Sequence, residues 1–364
     1  SFLCQVSSNS TRYYPSGRQN QFVCREAPVK VRAVPWCEPR KIVNFVRTMA
    51  EIIEGIVTKS TGSWYAVLDA ATGQTVRCRI RGVFRLRGSR TTNPVVVGDR
   101  VRAEVGDDEG DNVIVEIRPR TNYIIRRASN LSRESHIIAA NIDTAYLVVT
   151  LDRPATSTEF IDRFLVTAEA YRIPVVILLN KVDLLADEGW PEAIDAFEQV
   201  YRSAGYEVLE VSARSGQGVD ALRERMRGRT SLFSGHSGVG KSTLVNAIQP
   251  GLGLKTGAIS DYHHKGKHTT TFSEIFPLTG GGLLIDTPGI KGFGLVDIAP
   301  EELARYFPDL FRRASECQYY NCTHTHEPNC AVMAAVACGE VAESRYVSYL
   351  KMLEDDDKDG KYRK

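Results

Sequence analysis

The sequence predicts a multidomain protein with an N-terminal OB-type β-barrel, a central P-loop α/β domain and a C-terminal helical metal-binding domain. Three observations support this fold class. Short alternating strand patterns fill residues 51–120, strand and helix patterns alternate over residues 142–285, and a mostly helical region after residue 300 contains grouped cysteines and histidines. The 364 residues suffice for two or three domains.

The composition indicates a folded protein in water. Hydrophobic residues make up 43% of the chain and charged residues 25%, and the longest apolar runs are far shorter than the ~20 residues that span a bilayer. We therefore expect no membrane association. The net charge of +2 does not by itself indicate a nucleic-acid partner, so such a partner must be argued from local clusters.

Residues 1–48 have no regular pattern and carry eight basic residues against two acidic ones. Because Met49 is a plausible start just before the first strand pattern, we interpret this segment as an extension of uncertain status outside the fold. A targeting peptide or a basic arm is the alternative interpretation. The rest of the chain divides by pattern into an OB-fold domain at 49–122, an α/β domain at 123–295, a helical domain at 296–353 and a charged tail at 354–364.

The barrel is predicted from five strand patterns, at residues 53–59, 64–68, 75–81, 99–105 and 113–117. In the third pattern, Val76, Cys78 and Ile80 alternate with arginines, so one face is apolar and the other is cationic. A solvated strand face would explain the charges, but small barrels of this type commonly bind oligonucleotides, and we favour RNA phosphate binding. The arginines expected to contact RNA are Arg77, Arg79, Arg81, Arg85, Arg87 and Arg90.

The central domain is predicted as a doubly wound parallel sheet, because short apolar strand patterns alternate with amphipathic helix patterns. Ligands of such sheets bind at the carboxyl ends of the strands. The predicted strands are 145–150, 175–179, 207–211, 231–233 and 283–285, and the predicted helices are 158–171, 191–203, 219–226 and 241–248.

A P-loop follows the fourth of these strands and begins the last of these helices. Its glycines let backbone N–H groups surround phosphate oxygens, and the helix N-terminus adds a favourable partial charge. Lys241 is expected to reach the β- and γ-phosphates, and the Ser242 hydroxyl is expected to bind Mg²⁺. The residues of this nucleoside triphosphate site are Gly235, His236, Ser237, Gly238, Val239, Gly240, Lys241, Ser242 and Thr243.

Guanine is the base expected in this site. An NKxD motif follows the second strand of the domain, and its Asp183 would accept hydrogen bonds from the N1–H and amino groups of guanine, which adenine lacks. An SA motif follows the third strand. A DTPG motif follows the fifth, where Asp286 would hold Mg²⁺ through water and the N–H of Gly289 would contact the γ-phosphate. The residues expected at the nucleotide are Asn180, Lys181, Asp183, Ser212, Ala213, Asp286 and Gly289.

The order of these motifs is unusual. GTPases ordinarily place the P-loop before the other three motifs, whereas here NKxD at 180–183 and SA at 212–213 precede the P-loop at 235–242 and DTPG at 286–289. The central domain is therefore predicted to be a circularly permuted P-loop α/β GTPase domain. The site can survive permutation because it depends on which strand ends converge, not on where the chain is cut.

With a barrel before it and a cysteine cluster after it, this domain resembles the RsgA/YjeQ family of circularly permuted GTPases over about residues 50–350. The resemblance implies a GTPase that binds the 30S ribosomal subunit and 16S-type rRNA, is stimulated by that subunit, and hydrolyses GTP to GDP and phosphate in late small-subunit maturation. We also expect a cytoplasmic monomer. Two alternatives remain: a large-subunit assembly GTPase, and a nucleotide-gated RNA-binding assembly factor with negligible turnover.

Catalysis is expected to use a histidine, because Ile290 follows DTPG where many GTPases have a water-orienting glutamine. In the segment at 266–271, the family pattern implies that Thr270 is the switch I ligand of Mg²⁺ and that His268 positions the water. A solvated loop histidine is the alternative for His268. The expected catalytic residues are His268, Lys241 and Thr270, and the expected Mg²⁺ ligands are Ser242, Thr270 and Asp286.

A zinc site is predicted from three thiolates and one imidazole, a set that closes a tetrahedral structural site. These residues, Cys317, Cys322, His324 and Cys330, also match the ligand positions that the resemblance implies. His326 is a competing imidazole, and disulfides are the alternative, which a cytoplasmic setting disfavours. The basic residues Arg312, Arg313, Arg345 and Lys351 are expected either to form a second RNA surface or to lie on solvated helix faces.

Overall fold

The N-terminal strands are β1 (Glu51–Ser60), β2 (Tyr65–Asp69), β3 (Thr75–Ile80), β4 (Arg100–Val105) and β5 (Val113–Ile117). They pair in the order β1-β2-β3-β5-β4, and β4 pairs back to β1, which closes the sheet into a barrel. Alternation places Val57, Tyr65, Cys78 and Ile114 in the buried interior. The predicted OB-type barrel is confirmed.

In this computed structural model, the described residues are 51–80, 94–106, 112–127, 135–185, 189–252, 274–286 and 298–360. Several predicted features lie outside them. These are the extension at 1–48, the arginines Arg81, Arg85, Arg87 and Arg90, the switch I residues His268 and Thr270, Gly289 of the DTPG motif, and the last four residues.

The central sheet contains the five predicted strands. The strands from residue 123 onward are β6 (Tyr123–Arg127), β7 (Ser135–Ala140), β8 (Thr144–Val149), β9 (Val175–Asn180), β10 (Glu207–Val211), β11 (Thr230–Ser234), β12 (Glu274–Pro277) and β13 (Leu283–Asp286). Strands β10-β9-β8-β11-β13 form a parallel sheet in that order, and β12 pairs antiparallel to β13. The strands β8 and β9 are largely apolar, as buried parallel strands usually are, whereas β10 at the edge of the sheet exposes Glu207 and Glu210.

Four helices accompany this sheet: α1 (Thr158–Ala170), α2 (Trp190–Ala204), α3 (Val219–Met226) and α4 (Lys241–Ile248). Each agrees with a predicted helix to within a residue at either end. The helix α1 shows why. Its N-cap Ser157 accepts a hydrogen bond from the N–H of Phe160, and its apolar residues recur at helical spacing so that Ile161, Phe164 and Leu165 are buried against the sheet.

Two features of this region are absent from the prediction. The first is the antiparallel pair of strands β6 and β7, which an isolated bridge between Val97 and Ala139 joins to the barrel region. The second is β12, which connects the barrel to the central sheet because its Glu274 pairs with Lys59 of β1. Runs of four to six residues carry too little periodicity to be recognised alone. Their pairing partners, which are distant in sequence, make them strands.

The C-terminal region is helical, as predicted. Its helices are α5 (Pro300–Leu303), α6 (Pro308–Ala314), α7 (Ala331–Ala337) and α8 (Glu343–Gly360). Leu303, Phe307, Val332 and Tyr349 form their core, together with Val166 of α1. Helix α8 continues to Gly360, so residues 354–360, expected as a charged tail, extend a helix. Among the described residues, none of the helices has the length and apolar character needed to cross a membrane.

Candidate functional site

The predicted nucleotide motifs meet at one edge of the central sheet. The NKxD motif begins at the last residue of β9, the SA motif follows β10, the P-loop follows β11, and Asp286 ends β13. Because β10, β9, β8, β11 and β13 are parallel neighbours, their carboxyl ends lie side by side. The motifs, although far apart in sequence, therefore lie at one edge of the sheet, as their positions after the predicted strands indicated.

The P-loop turns sharply between β11 and α4. Gly235 has a φ of 144°, and a Cβ there would lie 2.4 Å from the carbonyl oxygen of Val148, so only glycine fits. The Lys241 ammonium donates to the carbonyl oxygens of Gly235 at 2.6 Å and His236 at 2.7 Å. Lys241 is thus folded back over the loop, at the position from which a P-loop lysine reaches phosphates. Ser242 and Thr243 follow in the first turn of α4.

The NKxD motif is attached directly to the P-loop. Asn180 is buried, and its amide Nδ2 donates to the carbonyl oxygen of Val239 at 2.8 Å, while the Lys181 ammonium donates to the carbonyl oxygen of Gly238 at 2.8 Å. A Cβ at Gly240 would lie only 2.5 Å from Asn180 Nδ2. These contacts fix the position of the base-specificity motif relative to the phosphate loop.

The SA motif orients the base-reading carboxylate. The Ser212 hydroxyl donates to Asp183 Oδ1 at 2.6 Å and accepts from the N–H of Ser215 at 3.0 Å. Since a serine hydroxyl has one proton, its donation to Asp183 is fixed by the bond it accepts from the backbone. This bond fixes the orientation of the Asp183 carboxylate, and Ala213 lies next to Ser212 in the chain.

One wall of the site has no sequence motif. The segment between β8 and α1 lies against the P-loop: the ring of Pro154 would be 3.2 Å from a Cβ at Gly238, and the Arg153 carbonyl oxygen accepts from Lys181 at 2.5 Å. Thr156 Oγ1 and His236 Nε2 are 2.7 Å apart. Sequence reasoning missed this wall because its only signal is the position of β8 between β9 and β11.

Two of the expected Mg²⁺ ligands are on neighbouring elements. Ser242 lies in the first turn of α4, and Asp286 ends β13, which is paired to β11 through Leu232 and Ile285. A hydroxyl and a carboxylate are ligands that Mg²⁺ accepts, so these residue types fit this ion. Thr270, the third expected ligand, is outside the described residues.

The predicted metal cluster is assembled in the loop between α6 and α7. The ligand atoms of Cys317, Cys322, His324 and Cys330 all lie within 4.8 Å of one another. His324 Nδ1 is 3.6 Å from Cys317 Sγ and 3.5 Å from Cys330 Sγ. Three thiolates and one imidazole at these separations fit a tetrahedral Zn²⁺ site with no open position. Burial raises the pKa of the Cys322 thiol to about 12, and a bound cation would reverse this by stabilising the thiolate.

The surroundings of this cluster select His324 over His326. His324 is buried, and Tyr346 donates to its carbonyl oxygen at 2.7 Å, whereas His326 is exposed and its Nδ1 pairs with Thr325. Glu327 accepts from the backbone N–H of Thr323 at 2.7 Å, which fixes the loop. Although burial opposes it, hydrogen bonding of this kind lowers the pKa of the Glu327 carboxyl. Among the described residues, His324 and not His326 therefore belongs to the cluster.

The described part of the cationic barrel face is ordered by an aromatic ring. The guanidinium carbons of Arg77 and Arg79 lie 4.0 Å and 4.1 Å from the centroid of the Trp64 ring. Both are exposed residues of β3, and Cys78 between them points into the barrel. Cation–π stacking holds both charges in place on the surface. Trp64 has no motif, and the sequence analysis missed it.

The basic residues of the C-terminal helices do not form one surface. Arg345 is buried and donates to Asp309 and Asp162, which corrects the expectation that it lies on an exposed face. The remaining three are also in contacts with carboxylates or carbonyls: Arg312 donates to the Ser203 carbonyl at the end of α2, Lys351 pairs with Glu159, and Arg313 pairs with Glu316 and Glu340. Arg345, Arg312 and Lys351 therefore connect the C-terminal helices to the central domain, whereas Arg313 pairs within the C-terminal region.

The site and the motif order define a class of protein, the circularly permuted P-loop GTPases. The protein-family model described as RsgA GTPase matches residues 117–296 of this chain. A second family model, described as RsgA N-terminal domain, matches residues 54–115. A relative from Bacteroides fragilis, named small ribosomal subunit biogenesis GTPase RsgA, is 57% identical over 311 residues, which are 85% of this chain and 99% of the relative. The chain belongs to the RsgA GTPase family, and it is a GTP hydrolase.

Two solved structures have the same architecture. The crystal structure of YjeQ from Thermotoga maritima is 36% identical, with a TM-score of 0.69, and the match covers 84% of this chain and 98% of that one. The structure of YloQ, described as a circularly permuted GTPase, is 32% identical, with a TM-score of 0.67, over 85% of this chain and 96% of that one. The circular permutation predicted from the motif order is confirmed.

Proposed function

We propose that this GTPase binds the 30S ribosomal subunit and its 16S-type rRNA and hydrolyses GTP to GDP and phosphate during late small-subunit maturation. The observation that carries the proposal is the cationic barrel face, with its stacked arginines, on a barrel whose strand β1 pairs with β12 of the GTPase sheet. The relative from Bacteroides fragilis is named for small ribosomal subunit biogenesis. We further propose that the protein acts in the cytoplasm as a monomer.

GTP would bind across the four strand ends. The carboxylate of Asp183 accepts from guanine, with Ser212 holding it in place, and Asn180 and Lys181 keep the base site attached to the P-loop. Backbone N–H groups of residues 235–243 surround the phosphates, and Lys241 exchanges its carbonyl partners for phosphate oxygens. In this exchange, phosphate oxygens would replace the two carbonyl oxygens that accept from the lysine.

Mg²⁺ would supply electrostatic stabilisation of the charge that develops on the phosphates. Ser242, Thr270 and Asp286 would hold it, and the Gly289 N–H would contact the γ-phosphate. His268 would position the attacking water, since Ile290 has no polar group for that task. These roles follow the motif positions and the family pattern.

The barrel would hold rRNA by its phosphates. Arg77 and Arg79 are stacked on Trp64, so less side-chain freedom is lost when they contact RNA. Arg81, Arg85, Arg87 and Arg90 would extend the contact along the following segment. Trp64→Ala should weaken rRNA binding, whereas Tyr320→Ala, which removes an exposed aromatic ring of the zinc loop, should not. Equal binding by Trp64→Ala and wild type would argue against this face.

The C-terminal domain would hold one structural zinc ion through Cys317, Cys322, His324 and Cys330. Because all four tetrahedral positions would be filled by protein, the ion stabilises the fold and takes no part in hydrolysis. We propose domain boundaries at 49–122, 123–295 and 296–353, with 354–364 as a C-terminal extension and 1–48 outside the fold.

Turnover of GTP with purified 30S subunits, with 50S subunits and with neither tests the proposal. We expect stimulation by 30S alone. Stimulation by 50S would support a large-subunit factor, and nucleotide-dependent 30S binding without turnover would support a nucleotide-gated RNA-binding factor. His268→Ala should lower the 30S-stimulated rate with little change in GTP affinity, and His326→Ala is its matched control. A normal rate for His268→Ala would assign water positioning to another group.

A further inference from the structure

Helix α1 contacts both the P-loop and the C-terminal domain. Its first turn and the segment before it carry Thr156 and Phe160, which touch the P-loop, and its second turn carries Asp162, which is buried against α6 and α8. Phe160 and Asp162 are two residues apart, about 3 Å along a helix axis. One rigid element therefore joins two places that the GTPase motifs do not connect.

At the P-loop end, the contact is to His236. The carbonyl oxygen of Ser237 lies 3.0 Å from His236 Nδ1 and can only accept, so Nδ1 carries the proton and Nε2 accepts from Thr156 Oγ1 at 2.7 Å. Thr156 Oγ1 in turn accepts from the N–H of Thr150 at the end of β8. The ring of Phe160 meets the His236 ring edge-on at 5.6 Å. The P-loop is thereby attached to the start of α1.

At the other end, Arg345 of α8 is 1% exposed and is held by two carboxylates. Its Nε and Nη2 donate to Asp309 at 2.9 Å and 2.7 Å, and its Nη1 donates to Asp162 at 2.6 Å. Removing one member of a buried ion pair leaves an uncompensated charge, which is strongly destabilising. This contact therefore fixes where the C-terminal domain lies on α1.

Packing along α1 supports the same connection. Ile161, Phe164 and Leu165 belong to the core of the central sheet, whereas Val166 belongs to the core of the C-terminal helices. The helix is thus shared between two cores. A displacement of its first turn would disturb both, because packed interiors do not deform continuously.

We propose that α1 couples nucleotide binding at the P-loop to the seating of the C-terminal domain, by a route separate from the peptide segment between β13 and α5. Phe160 and Asp162 are positioning residues in this route. When bound nucleotide holds the P-loop, the start of α1 becomes more ordered and the contact between Arg345 and Asp162 of α1 tightens. Conversely, packing of the C-terminal domain against α1 favours nucleotide binding. The proposal rests on guanine-nucleotide binding alone and does not depend on the ribosomal partner.

The first test measures GDP affinity of the full chain with Mg²⁺ by calorimetry. Arg345→Met should weaken GDP binding by about fivefold, because α1 is then less restrained and must be ordered on binding. Lys351→Ala is the matched control: it removes an exposed cation of α8 that pairs with Glu159 of α1, and its GDP affinity should equal that of wild type. Equal affinity for a folded Arg345→Met would overturn the proposal.

The second test measures the coupling in the reverse direction, from bound GDP to helix α8. It does not require Arg345→Met, so it can be carried out even if that variant does not fold. Hydrogen exchange of the α8 backbone over residues 343–353 is measured with and without GDP, at equal zinc content. GDP should slow this exchange in wild type and in Lys351→Ala, and Phe160→Leu should abolish the slowing while still binding GDP. If GDP leaves α8 exchange unchanged in wild type, or slows it equally in Phe160→Leu, the coupling does not run through α1.

Discussion

Arg345 Nη1 donates to Asp162 Oδ1 at 2.6 Å, in a buried contact between the C-terminal helix and the GTPase domain. Asp309 takes the other two bonds from the same guanidinium, so one cation serves two carboxylates. Asp162 Oδ2 has no hydrogen-bond partner. Burial raises the pKa of Asp162 to about 6, against the attraction of Arg345 and with a further contribution from Asp309. The cluster is therefore short of one positive charge when both carboxyls are ionised.

Stability should consequently depend on pH through Asp162. A raised pKa means that the folded state binds the proton more tightly, so this stabilising contribution is present below the ordinary value of 3.8 and is lost as the pH rises through about 6. Asp162→Asn keeps an acceptor for Arg345 and cannot titrate. Between pH 4 and pH 7, the free energy of unfolding of wild type should fall by about 2 kcal/mol relative to this variant.

Urea unfolding of both proteins at intervals over that range checks this prediction. Taking the difference between the two proteins cancels the titration of distant groups that they share. Tyr201 and Tyr206, which face Arg345, do not titrate between pH 4 and pH 7, because burial raises their pKa values above the usual value of 10. A difference that stays constant with pH would show that folding does not raise the pKa of Asp162.

Nucleotide choice should follow Asp183. Asp183→Asn replaces an acceptor with a group that can donate, so GTP binding should weaken and xanthosine triphosphate binding should improve, because xanthine carries an oxygen in place of the amino group of guanine. A loss of about tenfold or more in GTP affinity is expected when a charged acceptor of hydrogen bonds is removed. Competition between the two nucleotides measures it, and an unchanged preference would remove Asp183 from the base site.

The close approach between Gly240 and Asn180 should be essential. Gly240→Ala places a Cβ 2.5 Å from Asn180 Nδ2 at a φ of 94°, so the bond from Asn180 to the Val239 carbonyl must break. GDP affinity should fall by about tenfold. Gly73→Ala is the matched control, since Gly73 has a φ of 70° and nothing within 4 Å. If Gly240→Ala binds GDP as tightly as Gly73→Ala, the Asn180 contact does not hold the nucleotide site in shape.

Metal binding should stabilise the C-terminal domain. Cys330 is both a predicted ligand and the N-cap of α7, where its Sγ accepts from the N–H of Met333 at 3.5 Å. Cys330→Ser keeps a capping oxygen and removes a thiolate, so any loss of zinc content and of melting temperature reports on the metal. Cys338→Ser changes an exposed cysteine outside the cluster and should leave both unchanged. Wild-type zinc content in Cys330→Ser would exclude Cys330 as a ligand.

Much of the candidate site could be predicted from local sequence. The P-loop, NKxD and SA motifs are defined by residue types at fixed spacing, and the position of each at a strand end followed from the apolar strand patterns around it. The cluster of one histidine and three cysteines could be predicted equally well, because His324 and the cysteines lie within fourteen residues of one another in the chain. Chemistry confined to one short segment leaves its pattern in the sequence.

Contacts between distant segments could not be predicted in this way. Arg345, taken from the sequence as a surface residue, is buried because Asp162 and Asp309, 183 and 36 residues away, supply its counter-charges. Thr156 and Phe160 meet His236 only because β8 lies beside β11, and β12 pairs with a barrel strand more than 200 residues earlier. The sequence by itself determined the fold class, the family and the chemistry of each motif. Only the tertiary structure decided which charges are buried and how the domains are joined, because burial and pairing depend on neighbours that folding brings together and that no local spacing encodes.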